Sequence, residues 1–144
     1  MSSENPGVRF FYAWVTAWVQ DNKTTFEVLE LIIAETPESI FAALSLIMKF
    51  TLLGEKEKAL EFITPDFLGA AEHVEVFSRF FMEFFALLGE KEKAMDWVEK
   101  TIERGFTNYP FLAKHSPFLN TIRDENRFHR ILETAKTRWE NFKV

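Results

Sequence analysis

Leu52-Leu53-Gly54-Glu55-Lys56-Glu57-Lys58-Ala59 recurs letter for letter as Leu87-Leu88-Gly89-Glu90-Lys91-Glu92-Lys93-Ala94, 35 residues further on. Two leucines before a glycine suit the end of a helix, because glycine takes the positive φ that closes a last turn. The Glu-Lys run after it suits the start of the next helix, where acidic side chains meet the positive end of the helix dipole. Each octapeptide is therefore expected at a bend between two antiparallel helices. A period of about 34 residues is the spacing of helix-turn-helix repeats that stack side by side, since one helical hairpin cannot bury its own apolar face.

Outward from these turns, Asn5-Pro6, Thr36-Pro37, Thr64-Pro65 and Ser116-Pro117 each pair a capping side chain with a proline tolerated in a first turn. Thr24 to Glu27 has the spacing of a capping box. Helices are expected over 6–20, 24–35, 37–53, 55–63, 70–88, 90–104 and 125–142, with short helical turns at 65–68 and 117–122 and no strand. The first 38 residues read as a degenerate third copy, with Gln20 in the place of the turn glycine and Thr25 in that of Ala59 and Ala94.

Ala59 and Ala94, five residues past each glycine, and Phe50 and Phe85, four before it, give the chain a resemblance to tetratricopeptide-repeat (TPR) domains. In that family a small side chain after the turn lets two helices approach closely. Pro37 falls where proline commonly ends such a repeat, whereas Ile47 and Met82 stand where a small residue is usual. The resemblance implies an all-α fold: a right-handed superhelical stack of antiparallel hairpins over about 6–38, 40–73 and 75–108, followed over 109–144 by an aromatic turn and a capping helix.

The 35-residue rhythm breaks at Gly105-Phe106-Thr107-Asn108-Tyr109-Pro110-Phe111-Leu112. A polar cap at Asp124 and an amphipathic helix carrying Phe128, Ile131, Leu132, Ala135 and Trp139 would cover the open end of the stack. This ending, through Arg138-Trp139-Glu140-Asn141-Phe142, is similar to the extreme C-terminus of TPR regions in large bacterial signalling proteins. Those proteins often begin with a serine/threonine kinase, a cyclase or a winged-helix domain. Their usual Asp-Pro-Arg-Phe is here Glu125-Asn126-Arg127-Phe128, without the proline. The resemblance implies a regulatory or scaffolding part of a larger protein.

Composition narrows the function. With 144 residues, 47% of them hydrophobic, 17 Phe and 4 Trp, the chain has material for one well-filled core. A net charge of −5 gives no electrostatic reason to bind nucleic acid or an anionic membrane. The absence of cysteine excludes disulfides, thiolate zinc sites and cysteine nucleophiles, and suits the cytoplasm. Met1-Ser2-Ser3-Glu4-Asn5-Pro6 does not read as a signal peptide. The apolar run Ile40 to Leu53, broken by Ser45, Lys49 and Thr51, is shorter than the roughly 20 residues of a membrane-spanning helix.

Chemistry-bearing constellations are sparse. His73, His115 and His129 lack metal-ligand spacing, and there is no phosphate loop or nucleophile elbow, so neither metal nor cofactor is expected and the chain does not read as an enzyme. Glu55 with Lys58, Glu90 with Lys93 and Asp96 with Lys100 are ordinary helix-surface pairs. Arg123, Arg127, Arg130, Lys136 and Arg138 make the last helix locally basic and better suited to an acidic peptide than to a phosphate.

The expected function is accordingly protein–protein interaction. By register with TPR domains, a concave groove for a peptide or sister domain would be lined by Phe10, Trp14, Trp18, Phe41, Leu44, Met48, Arg79 and Glu83, although aromatic residues at helical spacing equally serve a core. The alternative is homo-oligomerisation through the first helix, where Val8, Phe11, Tyr12, Trp14, Val15, Trp18 and Val19 spread over most of the circumference. That apolar surface would be covered either by a preceding repeat or by a second copy, as in a homodimer.

Overall fold

The computed structural model describes residues 5–106 and 108–141, and every regular element among them is helical. Most of the N-terminal stretch weighed as a signal peptide, Thr107 and Phe142 of the closing motif lie outside the described residues. No described helix is long and apolar enough to cross a membrane. Two compact units divide the chain, residues 1–64 and 65–144, so the boundary falls inside the second expected repeat.

The first unit contains α1 (Pro6–Trp18), α2 (Asn22–Glu35), α3 (Ile40–Leu52) and α4 (Lys56–Glu61). The Asn5 side chain accepts from the Gly7 and Val8 amides and starts α1, with Pro6 in its first turn. Helix α2 begins earlier than the capping-box pattern at Thr24 indicates, because Asp21 caps it by accepting from the Thr24 amide. Helix α3 begins later than Pro37, because Ser39 accepts from the Ala42 amide and thereby sets the start. Phe10, Leu29, Ile32, Leu44, Ile47 and Met48 are almost completely buried in this unit. Gly7 makes room for Phe41: a Cβ at Gly7 would lie 3.1 Å from the Phe41 ring.

The second unit contains α5 (Pro65–Ala71), α6 (Glu75–Leu87), α7 (Lys91–Glu103), a π-helical turn (Phe111–His115), a 3-10 helix (Pro117–Ile122) and α8 (Asn126–Asn141). The single helix expected over 70–88 is instead two elements, with a break before Glu75. Residues Phe80 through Ala86 are all buried, because α6 packs against α5, α7 and the 3-10 helix. Phe81 is the centre of the aromatic core, with ring centroids of Phe67, Phe84, Phe85 and Trp97 between 5.5 and 6.2 Å away. Burying one such phenylalanine contributes about 2–3 kcal/mol.

The repeated octapeptides form matching turns. Gly54 and Gly89 have φ of 75° and 76°. At the first, the Glu55 amide donates to Phe50 O at 2.9 Å and the Gly54 amide to Thr51 O at 3.1 Å. At the second, Glu90 donates to Phe85 O and Gly89 to Ala86 O at the same distances. This pattern satisfies the last carbonyls of a helix through one left-handed residue. Gln20 makes the same turn with φ 63°: its amide donates to Ala17 O, and that of Asp21 to Thr16 O. The residues five positions on, Thr25, Ala59 and Ala94, are each completely buried.

Candidate protein-interaction surfaces

The outer face of α1 is apolar. Val8, Phe11, Tyr12, Val15 and Val19 are 52%, 45%, 46%, 50% and 70% exposed, and their spacing of three, four and seven residues puts them on one stripe. Phe10, Ala13, Trp14 and Ala17 take the opposite, buried side. The aromatic rings sit toward the N-terminal half of the stripe and two valines toward its C-terminal half. None of the five side chains is charged. On the flank, the Arg9 guanidinium is neutralised by Glu35 at 2.5 Å.

The residues expected to line a concave groove divide by burial. Phe10, Trp14, Leu44 and Met48 are buried in the first unit, with the Phe10 ring 5.8 Å from Trp14 and 6.1 Å from Phe41. Trp18 and Phe41 are half-buried. In the second unit, half-buried Arg79 lays its guanidinium over Phe106 at 4.6 Å and Phe111 at 5.7 Å. Glu83, one turn further along α6, is only 1% exposed.

Near Glu83 the C-terminal segment is held by Arg123. Its guanidinium donates to Leu112 O, Ser116 O and the Asn120 side chain. Burial holds the Arg123 pKa below its ordinary value, partly opposed by the charge of Glu83. Arg123 Nε and Ser116 Oγ are buried without a hydrogen-bond partner.

Helices α7 and α8 border an open cleft of about 400 Å3, with Ile102 and Ile131 as its apolar part, Glu99 and Glu103 on α7, and Arg127, Arg130, Thr134 and Arg138 on α8. Arg127 donates to Glu92 at 2.8 Å, Asp96 at 2.6 Å and Glu99 at 3.0 Å. The hydrogen bond to Asp96 is the largest influence holding its pKa above the ordinary arginine value; burial opposes it, and the smaller contributions of the bonds to Glu99 and Glu92 add to the rise. Arg138 donates to Ile102 O at 2.9 Å. Arg127 and Arg138 of the basic helix are therefore committed to α7, and Asp96, expected to pair with Lys100, is taken by Arg127 while Lys100 pairs with Glu72.

Sequence reasoning found the apolar character of α1 but not which side of it faces out, because Trp14 and Tyr12 carry the same periodic signal. Glu83 in an aromatic core and the threefold capture of Arg127 left no local signature. Among the described residues, no group of three or more His, Asp or Glu is placed to hold a metal ion. No protein-family model, no curated protein and no solved structure matches the chain.

Proposed function

We propose that the chain is a protein-interaction module: a TPR-like scaffold of antiparallel helix hairpins that presents the outer face of α1 to an apolar helix of a partner. The observation that carries this reading is the stripe Val8, Phe11, Tyr12 and Val15, four exposed apolar side chains on one side of α1, continued by Val19 at its C-cap. A continuous apolar surface of this kind is costly in water and is characteristic of docking sites. Support for the repeat scaffold comes from the three left-handed turns at Gln20, Gly54 and Gly89, spaced 34 and 35 residues apart, each followed by a buried small or β-branched residue.

Within this reading Phe10, Trp14, Leu44 and Met48 build the first unit and Glu83 the second, while Trp18 and Phe41 in the first unit and Arg79 in the second are only half-buried. The resemblance to the ends of bacterial signalling proteins implies a role in regulation or scaffolding. The test is retention of a partner from source-cell extract on the immobilised chain. Val15→Asp is expected to abolish retention, while Val74→Asp, which charges an exposed apolar residue outside α1, leaves it intact. Equal recovery on both variants overturns the assignment of α1 as the docking face.

A further inference from the structure

We infer that the cleft between α7 and α8 is a ligand site, independent of the α1 face, for a small aliphatic molecule that carries both a carboxylate and an ammonium group, as an aliphatic amino acid does.

The cleft has tied ends, an apolar floor and opposite charge on its two walls. Arg127 joins α8 to α7 through Glu92, Asp96 and Glu99, and Arg138, three turns further along α8, joins them again by donating to Ile102 O. Between these ties Ile102 and Ile131, both almost completely buried, form the floor. A volume of about 400 Å3 lies within the range of ligand-binding clefts, about 300–1,000 Å3. On the α8 wall Arg130, Thr134 and Arg138 line the cleft at intervals of one turn. On the α7 wall stand Glu99 and Glu103.

The charges that the ties leave over define the ligand. Glu99 is engaged by Arg127. Among the described residues, the side chains of Arg130, Thr134 and Glu103 make no hydrogen bond or ion pair. Arg138 meets a neutral carbonyl, which leaves its charge uncancelled. A ligand carboxylate at Thr134 would have Arg130 one turn to one side and Arg138 one turn to the other, with the threonine hydroxyl as a further donor. A ligand ammonium on the opposite side would meet Glu103. An anion alone would bring its charge against Glu103, and a cation alone against two guanidiniums, so a molecule with one group of each sign is the best complement. Its aliphatic part rests on Ile102 and Ile131. Because Arg130 and Glu103 are exposed, each charged contact is weak, and binding is expected in the millimolar range.

Leucine is the probe, compared with N-acetylleucine, which lacks the ammonium, and leucinamide, which lacks the carboxylate. In NMR titrations of the full chain, leucine should shift the Ile102 and Ile131 methyl signals and the Thr134 amide saturably. Each comparison compound should bind about two- to fivefold more weakly. Arg130→Gln should narrow the preference for leucine over leucinamide, and Glu103→Gln the preference over N-acetylleucine, with circular dichroism confirming that both variants fold.

No saturable shift up to about 50 mM leucine, well above a millimolar Kd, overturns the inference. So does equal binding of the three compounds, or wild-type preferences in both variants. Tighter binding of the blocked tripeptide acetyl-Glu-Leu-Lys-amide than of leucine would show that the cleft takes a chain segment, and overturns the assignment to a free small molecule.

Discussion

At the α6–α7 turn, Gly89 bends the chain, Phe85 is buried four residues before it and the Lys93 ammonium lies 5.8 Å from the Phe85 ring centre. At the α3–α4 turn, Gly54, Phe50 and Lys58 repeat that arrangement around a half-buried ring, with the ammonium 5.6 Å from the ring centre. The α1–α2 turn makes the same bend with other chemistry. Gln20 holds the left-handed position, and Thr16 stands where the phenylalanines do. Its hydroxyl lies 2.7 Å from that of Thr25, which replaces the buried alanine. Those hydroxyls also lie 2.8 Å from Ala13 O and 3.0 Å from Asp21 O, so two protons serve three contacts. One backbone solution is thus compatible with an aromatic or a hydrogen-bonded filling, provided that each buried polar atom finds a partner.

The largest expected effect separates the two fillings directly. Phe85→Ala should destabilise the second unit by about 3–5 kcal/mol in urea denaturation, through lost burial and the cavity left behind. Thr16→Ala, its counterpart in register, should cost only about 1–2 kcal/mol, chiefly by depriving the Thr25 hydroxyl of its neighbour. A loss for Thr16→Ala as large as that for Phe85→Ala would show that the two turns are not energetically comparable.

Exchanging the residues at the bend tests the shared backbone. Gly89→Ala should cost about 1–2 kcal/mol, because a side chain in the left-handed region is strained although the space around it is open. Gln20→Gly should relieve similar strain and offset it partly through chain entropy, for a net gain of about 0.5–1 kcal/mol. A destabilised Gln20→Gly chain would mean that the Gln20 side chain contributes more than its strain removes.

The smallest effects concern acid. Asp21 in the first unit accepts from Thr24, and Glu72 in the second pairs with Lys100. These interactions hold both carboxyls below their ordinary pKa. A lowered carboxylate pKa contributes stability that is present above the unfolded value and lost as pH falls through the folded one. Asp21→Asn and Glu72→Gln should therefore each make the loss of stability between about pH 5 and pH 3 slightly shallower, each in its own unit. A steeper acid limb in either variant contradicts the assigned cause.

Helical content and the three bends were legible because Gly54 and Gly89 carry their conformation in their identity, and register then pointed to Gln20. The break before Glu75 was not legible: Ala70-Ala71-Glu72 favours helix, and no proline or glycine interrupts the run into α6. The start of α3 was misplaced for the opposite reason, since Pro37 advertised a first turn that the Ser39 side chain actually sets. On α1, apolar residues occur all round, so periodicity could not tell the buried Phe10 and Trp14 from the exposed Phe11 and Tyr12. Burial of Glu83 is still less readable, because it arises from elements distant in sequence that close around α6.

The three carboxylates gathered on Arg127 carry a consequence for how the chain responds to its medium. One cation serves as counter-ion to Glu92, Asp96 and Glu99 along α7, and those acceptors are open enough for dissolved ions to compete. Raising ionic strength should loosen this fastening of the last helix without reaching its buried Phe128, Ile131 and Ala135. A cell's salt content would then tune the grip on the tail rather than its fold.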